Sequence, residues 1–266
     1  MIEIYRPADL PRARAAGALV ADILQTLRGR ATAGTNLLDI DRWARTMITD
    51  AGARSCYVDY APPFGRGPFG HHICTSVNDA VLHGRPHDRT LVDGDLLTLD
   101  LAVATGGIVA DSAVSFVVGG VASPQDAALI RATERALAAG IAAAVPGARI
   151  GDLAHAIGTV LTDAGYPINT EFGGHGVGST MHQDPHVPNT GRPGRGYRLR
   201  PGLLLALEPW VMADTAELVT DADGWTLRSA TGCRTAHSEH TIAITDDGPE
   251  VLTRRSEEVG AVGAAG

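Results

Sequence analysis

The sequence contains few aromatic residues, few cysteines and no long hydrophobic run. Aromatic side chains make up 5% of the 266 residues, so leucine, valine, isoleucine and alanine must supply most of the core. Cys56, Cys74 and Cys233 are odd in number and far apart, which predicts reduced thiols and argues against a disulfide framework or a zinc knuckle. The first residues lack the basic and apolar segments of a signal peptide, and no stretch reaches the ~18 uninterrupted apolar residues of a membrane span. We therefore expect a cytoplasmic protein that does not cross a membrane.

The basic residues form no cluster long enough to follow a phosphate backbone. The net charge is −8, so nucleic acid is not an expected partner. Hydrophobic residues make up 44% of the chain, which is enough to bury a full core. We expect a single catalytic domain over residues 1–258 and a disordered tail at 259–266.

Two pairs of helices are predicted at corresponding places in the chain. The stretch "GTNLLDIDRWARTMITDAG" at 34–52 aligns without gaps with "GARIGDLAHAIGTVLTDAG" at 147–165. Each is typical of an amphipathic helix that ends at a glycine. Each follows an alanine- and leucine-rich segment, at 11–28 and 124–144, that also predicts a helix. The order of elements indicates an internal duplication.

A pair of buried strands supports the same interpretation. The segments "VDGDLLTLDLAV" at 92–103 and "RPGLLLALEPWV" at 200–211 both contain a turn glycine, a run of leucines and then a carboxylate. No linker separates the halves, which extend roughly over 11–120 and 124–250. We predict an α/β fold built from two helix-helix-strand halves that share one core.

Two aspartates lie on a predicted hairpin. Asp100 and Asp111 are equally distant from the Thr105–Gly106 junction, so a loop centred there would place them directly opposite each other. Carboxylates at that distance repel each other, and such a site usually holds a shared proton or a cation. A solvated hairpin with two exposed aspartates is the alternative.

Further acids and histidines point to a metal site. Glu208 ends an apolar strand and Glu239 begins another, where an unpaired charge would be costly. The stretch "GGHGVGSTMHQDPHV" at 173–187 adds three histidines and four glycines, and it lacks the following helix and acidic residue of a dinucleotide-binding loop. Several carboxylates and an imidazole suit manganese, iron, cobalt or zinc as divalent ions, commonly in pairs.

Five motifs occur in the order found in one family. They are "VLHGRP", "DGDLLTLDLAV" with "GGIVADSA", "GGHGVGSTMHQDPHV", "LALEPW" and "SEHTIAIT". The chain resembles the type I methionine aminopeptidases, which have the pita-bread fold with pseudo-twofold halves around a mostly antiparallel sheet. The resemblance implies two divalent ions and five metal ligands, which are Asp100, Asp111, His175, Glu208 and Glu239.

The resemblance also implies a mechanism and a substrate. A metal-activated hydroxide would attack the first peptide carbonyl, and Glu208 would accept the proton of the water. His83 and His182 correspond to two further active-site histidines that stabilise the oxyanion and guide the leaving amine. His186 has no matching role and is interpreted as a surface residue or a neighbour of the ligands. The substrates would be N-termini of peptides or nascent proteins, handled by a monomer, with possible proximity to the ribosome.

The residues that would bind the methionine side chain depart from the family pattern. An alignment without gaps upstream of Cys74 gives Pro63, Arg66, Phe69 and Cys74 as expected pocket residues. Met181, just before His182, and Trp225, in "DGWTLR", correspond to the remaining two. Arg66 is unexpected, because an arginine inside the pocket would disfavour a thioether. Its side chain would either turn outward and line the rim or point inward and favour a polar first residue, and we prefer the outward orientation.

Three alternatives follow from these departures. One is an aminopeptidase of the same chemistry with another first-residue preference in a specialised pathway. Another is a non-catalytic binding module on the same fold, although all five ligands are present. The third is prolidase-like cleavage before proline, which usually needs an additional N-terminal domain.

Overall fold

Four helices form where the sequence predicts them. The computed structural model describes residues 1–63 and 65–256, so the tail predicted to be disordered lies outside the described residues. The helices, the first of which follows a short 3₁₀ turn at Pro7–Asp9, are α1 (Leu10–Arg30), α2 (Leu37–Asp50), α3 (Pro124–Ala143) and α4 (Ile150–Asp163).

Helix α2 shows why these segments are helical. Its buried residues include Ile40, Ala44 and Ile48, which recur every four positions and form one face. The helix ends before Gly52, and α4 ends before Gly165. Both glycines have positive φ, 64° and 81°, the conformation that commonly terminates a helix.

The two halves repeat the same local hydrogen bonds. The amide of Gly34 donates to the carbonyl of Leu91 at 2.9 Å, and the amide of Gly147 donates to the carbonyl of Leu199 at 3.0 Å. Both glycines have nearly the same φ, 90° and 88°. The loops before α2 and α4 are therefore built alike, while superposition of the complete halves stays a prediction.

The remaining structure consists of short strands. Those of the first half are β1 (Arg54–Ser55), β2 (Cys74–Val77), β3 (Ala80–Leu82), β4 (Leu96–Thr105) and β5 (Ile108–Val117). Those of the second half are β6 (Gly174–Gly176), β7 (Gln183–Val187), β8 (Leu204–Leu207), β9 (Trp210–Met212), β10 (Leu218–Thr220), β11 (Leu227–Ser229), β12 (Thr235–His237), β13 (His240–Thr245) and β14 (Gly248–Val251).

The strands form antiparallel sheets in both halves. In the first half, β4 pairs with β1 and β2 along one edge and with β5 along the other. In the second half, five strands form a sheet in the order β14-β13-β8-β6-β7. Two small sheets, β10-β11-β3 and β12-β9, complete the arrangement. The leucines of β4 and β8 are buried, as expected for strands covered on both sides.

The register of the β4–β5 hairpin differs from the prediction. The turn residues are Gly106 and Gly107, both with positive φ, so Asp111 pairs with Ala102 and Asp100 pairs with Ala113. The direct opposition of the two aspartates predicted from the sequence is therefore wrong, because the loop is centred one position further along the chain. The aspartates remain diagonal neighbours on the same face of the hairpin.

Hydrogen bonds join strand β5 to the sheet of the second half. The backbone amide of Asp111 donates to Oγ1 of Thr241 at 2.8 Å, and that hydroxyl donates to the carbonyl of Asp111 at 2.7 Å. The amide of Glu239 donates to the carbonyl of Ala113 at 3.0 Å. The carboxylates of both halves are thus brought to one junction.

Two further sequence predictions concern the described residues. The three cysteines are free thiols, as predicted. In the part of the chain that the structure describes, no helix is long and apolar enough to cross a membrane.

Two glycines of α1 provide a matched test of packing. A Cβ at Gly17 would lie 2.3 Å from the carbonyl oxygen of Leu252, whereas a Cβ at Gly29 would have nothing within 4 Å. We expect Gly17→Ala to lower the free energy of unfolding by ~1–3 kcal/mol, because the backbone after β14 must move. Gly29→Ala should be neutral or stabilise by up to ~1 kcal/mol, because alanine favours the helix. Chemical denaturation of both variants checks this, and equal stabilities would contradict the packing of α1.

Candidate active site

Four carboxylates converge between the two halves. Asp100 and Asp111 lie on β4 and β5, Glu208 directly follows β8, and Glu239 directly precedes β13. Both glutamates therefore lie just outside the strands in which the sequence placed them. Asp100, Asp111 and Glu239 are buried, and the side chain of Glu208 is 13% exposed.

His175 faces this cluster from strand β6. Its Nε2 lies 3.9 Å from Oδ2 of Asp111 and 3.8 Å from Oε1 of Glu208. One ligand atom each from Asp111, His175 and Glu239 lie within 4.8 Å of one another. A glycine on either side of His175 allows a close approach of the backbone, since a Cβ at Gly174 would lie 2.3 Å from the carbonyl oxygen of Ala206. The structure brings together all five residues predicted as ligands.

The carboxyl groups have unusual electrostatics. Burial raises the pKa of Asp100 to about 6, although Tyr57 and Cys74 donate hydrogen bonds to it. Burial and then the charges of neighbouring carboxylates raise the pKa of Asp111, Glu208 and Glu239 well above their usual range. Such a cluster is costly unless protons or a cation neutralise it. A divalent cation is the partner that fits a set of oxygen donors with one imidazole.

The two other predicted histidines border the same cavity. The ring of His182 is exposed at the mouth and packs edge-on against His175, with ring centroids 4.4 Å apart. His83 has φ 55°, a conformation that a side chain with a Cβ seldom adopts, and its ring packs edge-on against Phe172. Burial lowers the pKa of His83 to about 4. Although His182 keeps an exposed surface, desolvation by the groups packed around it, and then the charge of His83, lower the pKa of His182 to about 4, so both histidines are neutral at pH 7. His186 is exposed, in keeping with its interpretation as a surface residue.

The position of His83 depends on Gly84. A Cβ on Gly84 would lie 2.6 Å from the carbonyl oxygen of Thr75, and the carbonyl of Gly84 accepts a hydrogen bond from the amide of Thr75 at 2.7 Å. The loop of "HGRP" therefore lies directly against β2. This contact fixes the strained backbone of His83 beside the cavity.

An apolar pocket adjoins the carboxylates. The pocket and the five clustered residues line one cavity, which is open to solvent. The side chains that form its apolar part are Tyr57, Tyr60, Phe69, Cys74, Leu82, Met181 and Trp225. Trp225 packs edge-on against Phe69 with ring centroids 5.2 Å apart, and Tyr57 packs edge-on against Phe69 at 5.7 Å. Four of the twelve aromatic residues of the chain thus line this pocket.

Pro63 and Arg66 do not line this pocket. Both are exposed, and the Cβ, Cγ and Cδ atoms of Arg66 lie against Gly224. The expectation that both residues line the pocket, which came from an ungapped alignment upstream of Cys74, therefore differs from the structure. Tyr57 and Tyr60 contribute side chains to the pocket instead. The outward orientation of Arg66 is the one found in the structure.

Tyr57 is a pocket residue that the sequence analysis missed. Its hydroxyl donates a 2.5 Å hydrogen bond to Oδ1 of Asp100 and lies 3.3 Å from Oδ1 of Asp111. The aromatic pair in "CYVDY" was the available signal, because aromatic residues are rare in this chain. Tyr57 therefore connects the apolar pocket with the carboxylate cluster.

His237 was missed as well. It is buried on β12, and its Nε2 lies 3.9 Å from Oε2 of Glu208 and 3.9 Å from Oε2 of Glu239. Burial, and to a smaller extent the neighbouring His83, lowers its pKa to about 3. A single histidine next to Glu239 has no spacing signature, so the sequence offered little reason to select it.

The N-terminal segment holds the loop that carries Met181 and His182. The Glu3 carboxylate accepts hydrogen bonds from the amide of Ser179 at 2.9 Å, from the hydroxyl of Ser179 at 2.5 Å and from the hydroxyl of Tyr5 at 2.7 Å. Partial burial alone would raise the pKa of Glu3, but these hydrogen bonds outweigh it and lower the pKa to about 2. Glu3 is therefore a charged anchor for this side of the cavity.

Known proteins are similar to this chain along most of its length. The model of metallopeptidase family M24 matches residues 11–246. Methionine aminopeptidase 1 of Mycobacterium tuberculosis is 42% identical over 252 residues, which cover 92% of each chain.

Solved structures are similar along almost the whole chain. A methionine aminopeptidase of Thermotoga maritima has a TM-score of 0.90 at 33% identity and covers 96% of this chain and 100% of its own. A prolidase of Pyrococcus horikoshii, at 18% identity and a TM-score of 0.73, covers 95% of this chain and 64% of its own, and this likeness shows the fold alone. The predicted pita-bread fold is confirmed.

Glu3→Gln tests the anchor of the 178–183 loop. Because the pKa of Glu3 in the folded protein lies below its ordinary value of 4.5, its carboxylate contributes stability above about pH 4.5 that is lost as the pH falls towards 2. We expect the substitution to lower the free energy of unfolding by ~1 kcal/mol at pH 7 and by less at pH 3.5. Denaturation at both pH values checks this, with the exposed Glu217→Gln as the control. A deficit that is the same at both pH values would argue against the charged anchor.

Proposed function

The chain belongs to metallopeptidase family M24, and we propose that it is a metal-dependent aminopeptidase that removes the N-terminal methionine from peptides and nascent proteins. The observation that carries this proposal is the position of the carboxylate cluster directly beside an apolar pocket. The cluster suits hydrolysis assisted by divalent ions, and the pocket suits an unbranched apolar side chain. One site thus provides both the chemistry and the selection of the first residue.

We assign two divalent ions to the residues Asp100, Asp111, His175, Glu208 and Glu239. Two such ions balance the formal charge of four carboxylates, and manganese, iron, cobalt and zinc all accept this mixture of oxygen and nitrogen donors. When bound, the ions would supply Lewis acidity and a water nucleophile at neutral pH. The raised pKa values of the carboxyl groups support the need for cations at this place.

The protein's own groups would orient the peptide and move the protons. Glu208 lies at the edge of the cavity and is the carboxylate that can accept a proton from water and pass it to the leaving amine. His182, neutral and exposed at the mouth, can donate a hydrogen bond to the carbonyl oxygen of the first peptide bond as that oxygen gains charge. His83 faces the same cavity and can guide the leaving amine.

The pocket selects methionine through shape and polarity. Phe69, Met181 and Trp225 form apolar walls, and Cys74 lies at the end near Asp100, its partner in strand pairing. Burying a methionine side chain there contributes ~1.5–3 kcal/mol. The outward position of Arg66 removes the feature that favoured a polar first residue.

The proposal extends to location and assembly. Three free thiols suit the reducing cytoplasm, where nascent chains leave the ribosome. We propose that the protein works there as a monomer close to translating ribosomes. Its partners would then be the exposed N-termini of newly made chains.

Asp111→Asn tests the assignment of the metal site. A neutral amide cannot offset the charge of two cations, so we expect the variant to bind less Mn²⁺ or Co²⁺ and to lose most of its activity, at least ~100-fold in kcat/KM. Metal analysis after dialysis and hydrolysis of Met-Ala-Ser check this. Asp163→Asn, at the exposed end of α4, is the control. Wild-type metal content and rate in Asp111→Asn would reject the assignment.

Hydrolysis of peptides that differ only in their first residue tests the proposed specificity for methionine. We expect the wild type to cleave Met-Ala-Ser with a kcat/KM at least ~10-fold above that for Glu-Ala-Ser, because a buried unpaired carboxylate is costly in an apolar pocket. Arg66→Tyr should behave like the wild type, since Arg66 lies outside the pocket, whereas Trp225→Ala should lose activity on the methionyl peptide. A wild type that prefers the glutamyl peptide, with the preference reversed in Arg66→Tyr, would instead support the specialised aminopeptidase.

A further inference from the structure

His237 is a buried polar side chain that the five predicted ligands leave without a role. Its exposed fraction is 2%, and it is among the residues that line the cavity. Within residues 1–63 and 65–256, neither ring nitrogen has a hydrogen-bond partner. A buried imidazole in this state requires a partner that enters the cavity from outside.

The surroundings of His237 resemble those of His175. Nε2 of His175 lies 3.8 Å from Oε1 of Glu208, and Nε2 of His237 lies 3.9 Å from Oε2 of the same carboxylate. Each imidazole also faces a second carboxylate at 3.9 Å, which is Asp111 for His175 and Glu239 for His237. The two imidazoles therefore flank Glu208 from opposite oxygens in the same way.

The distances from His237 to Glu208 and Glu239 suit a single atom bound by all three side chains. At 3.9 Å, Nε2 of His237 is too far from either carboxylate for a direct hydrogen bond. Ligand bonds of ~2.0–2.2 Å from an ion to nitrogen and oxygen place the two donor atoms roughly 3–4 Å apart. The gap between His237, Glu208 and Glu239 therefore has the size of an ion.

The backbone holds His237 in this orientation. Its amide donates to Oγ of Ser115 at 2.9 Å, and the same hydroxyl donates to the carbonyl of His237 at 2.8 Å. Ser115 is in turn bonded to Oγ1 of Thr98 at 2.7 Å. A residue of β5 thus fixes both backbone polar groups of His237 at a position from which its side chain lines the cavity.

We propose that His237 is a further metal ligand, whose Nε2 binds one of the two divalent ions together with Glu208 and Glu239. This rests on the proposed metal-dependent function. The site would then contain two imidazoles, one on each side of Glu208. Imidazole suits zinc, iron and cobalt better than manganese, whereas carboxylates suit manganese. A ligand at His237 would therefore shift the metal preference of this chain from manganese towards zinc, iron and cobalt.

Titration of metal-free protein with Co²⁺ and with Mn²⁺ tests the proposal. The variants are His237→Gln, which keeps a polar side chain of similar size, and His155→Gln as a control on the exposed surface of α4. We expect His237→Gln to bind one Co²⁺ ion at least ~10-fold more weakly than the wild type, and to lose clearly less affinity for Mn²⁺. The absorption spectrum of the Co²⁺-loaded variant should also differ from that of the wild type. His155→Gln should match the wild type in all three measurements.

An unchanged Co²⁺ affinity and spectrum in His237→Gln would overturn the proposal. Thermal unfolding of the metal-free proteins separates a lost ligand from a lost fold, because only a structural role would lower the melting temperature before metal is added. If the variant does not fold, X-ray absorption of the wild type with two equivalents of Co²⁺ decides. About one imidazole per ion is expected if His175 and His237 both bind, and about half that number would contradict the proposal.

The same experiments distinguish this proposal from the proposed function. If the Co²⁺-loaded wild type does not cleave Met-Ala-Ser, the peptidase function fails, while the cobalt spectra still decide whether His237 is a ligand. If the wild type cleaves the peptide and His237→Gln keeps its Co²⁺ affinity and spectrum, only the assignment of His237 fails.

Discussion

The mutual repulsion of four carboxylates in one cavity is the constraint on which the rest of this structure depends. Asp100, Asp111, Glu208 and Glu239 come from different strands, and no arginine or lysine is among the described side chains that line their cavity. Burial makes each charge more costly, and their proximity adds to that cost. Such a cluster is stable when protons or cations neutralise its charge. The histidines and the apolar pocket beside the cluster are then the groups that a metal-dependent hydrolase needs.

The junction of the two halves brings these charges together. The β4–β5 hairpin of the first half supplies two aspartates, and the second half supplies the glutamates beside β8 and β13. The hydroxyls of Thr241 and Ser115 accept and donate hydrogen bonds between the halves next to the site, so the distance between the two sets of carboxylates is fixed by the sheets. The same contacts orient His237. The carboxylates therefore meet at this junction, where β5 of the first half contacts β8 and β13 of the second.

Local patterns predicted the helices, and the family resemblance indicated five residues that the structure brings to one cavity, while long-range packing decided the rest. The helices at 34–52 and 147–165 were predictable because apolar spacing and a terminal glycine are signals within one segment. The hairpin register was not, since a shift of the loop by one position changes every strand pair. The outward position of Arg66 depends on its contact with Gly224, which is far away in the sequence. No spacing pattern indicates His237, because its partners lie on other strands.

The number of protons released when metal binds tests the central claim most directly. Buried carboxyl groups whose pKa is raised hold protons in the metal-free protein, and a divalent ion must displace them. Calorimetric titration with Mn²⁺ at pH 7 in two buffers of different ionisation enthalpy measures this number. The account predicts that at least about one proton is released for each protein molecule. Binding of Mn²⁺ without proton release would contradict it, because the carboxylates would then already be charged without the ion.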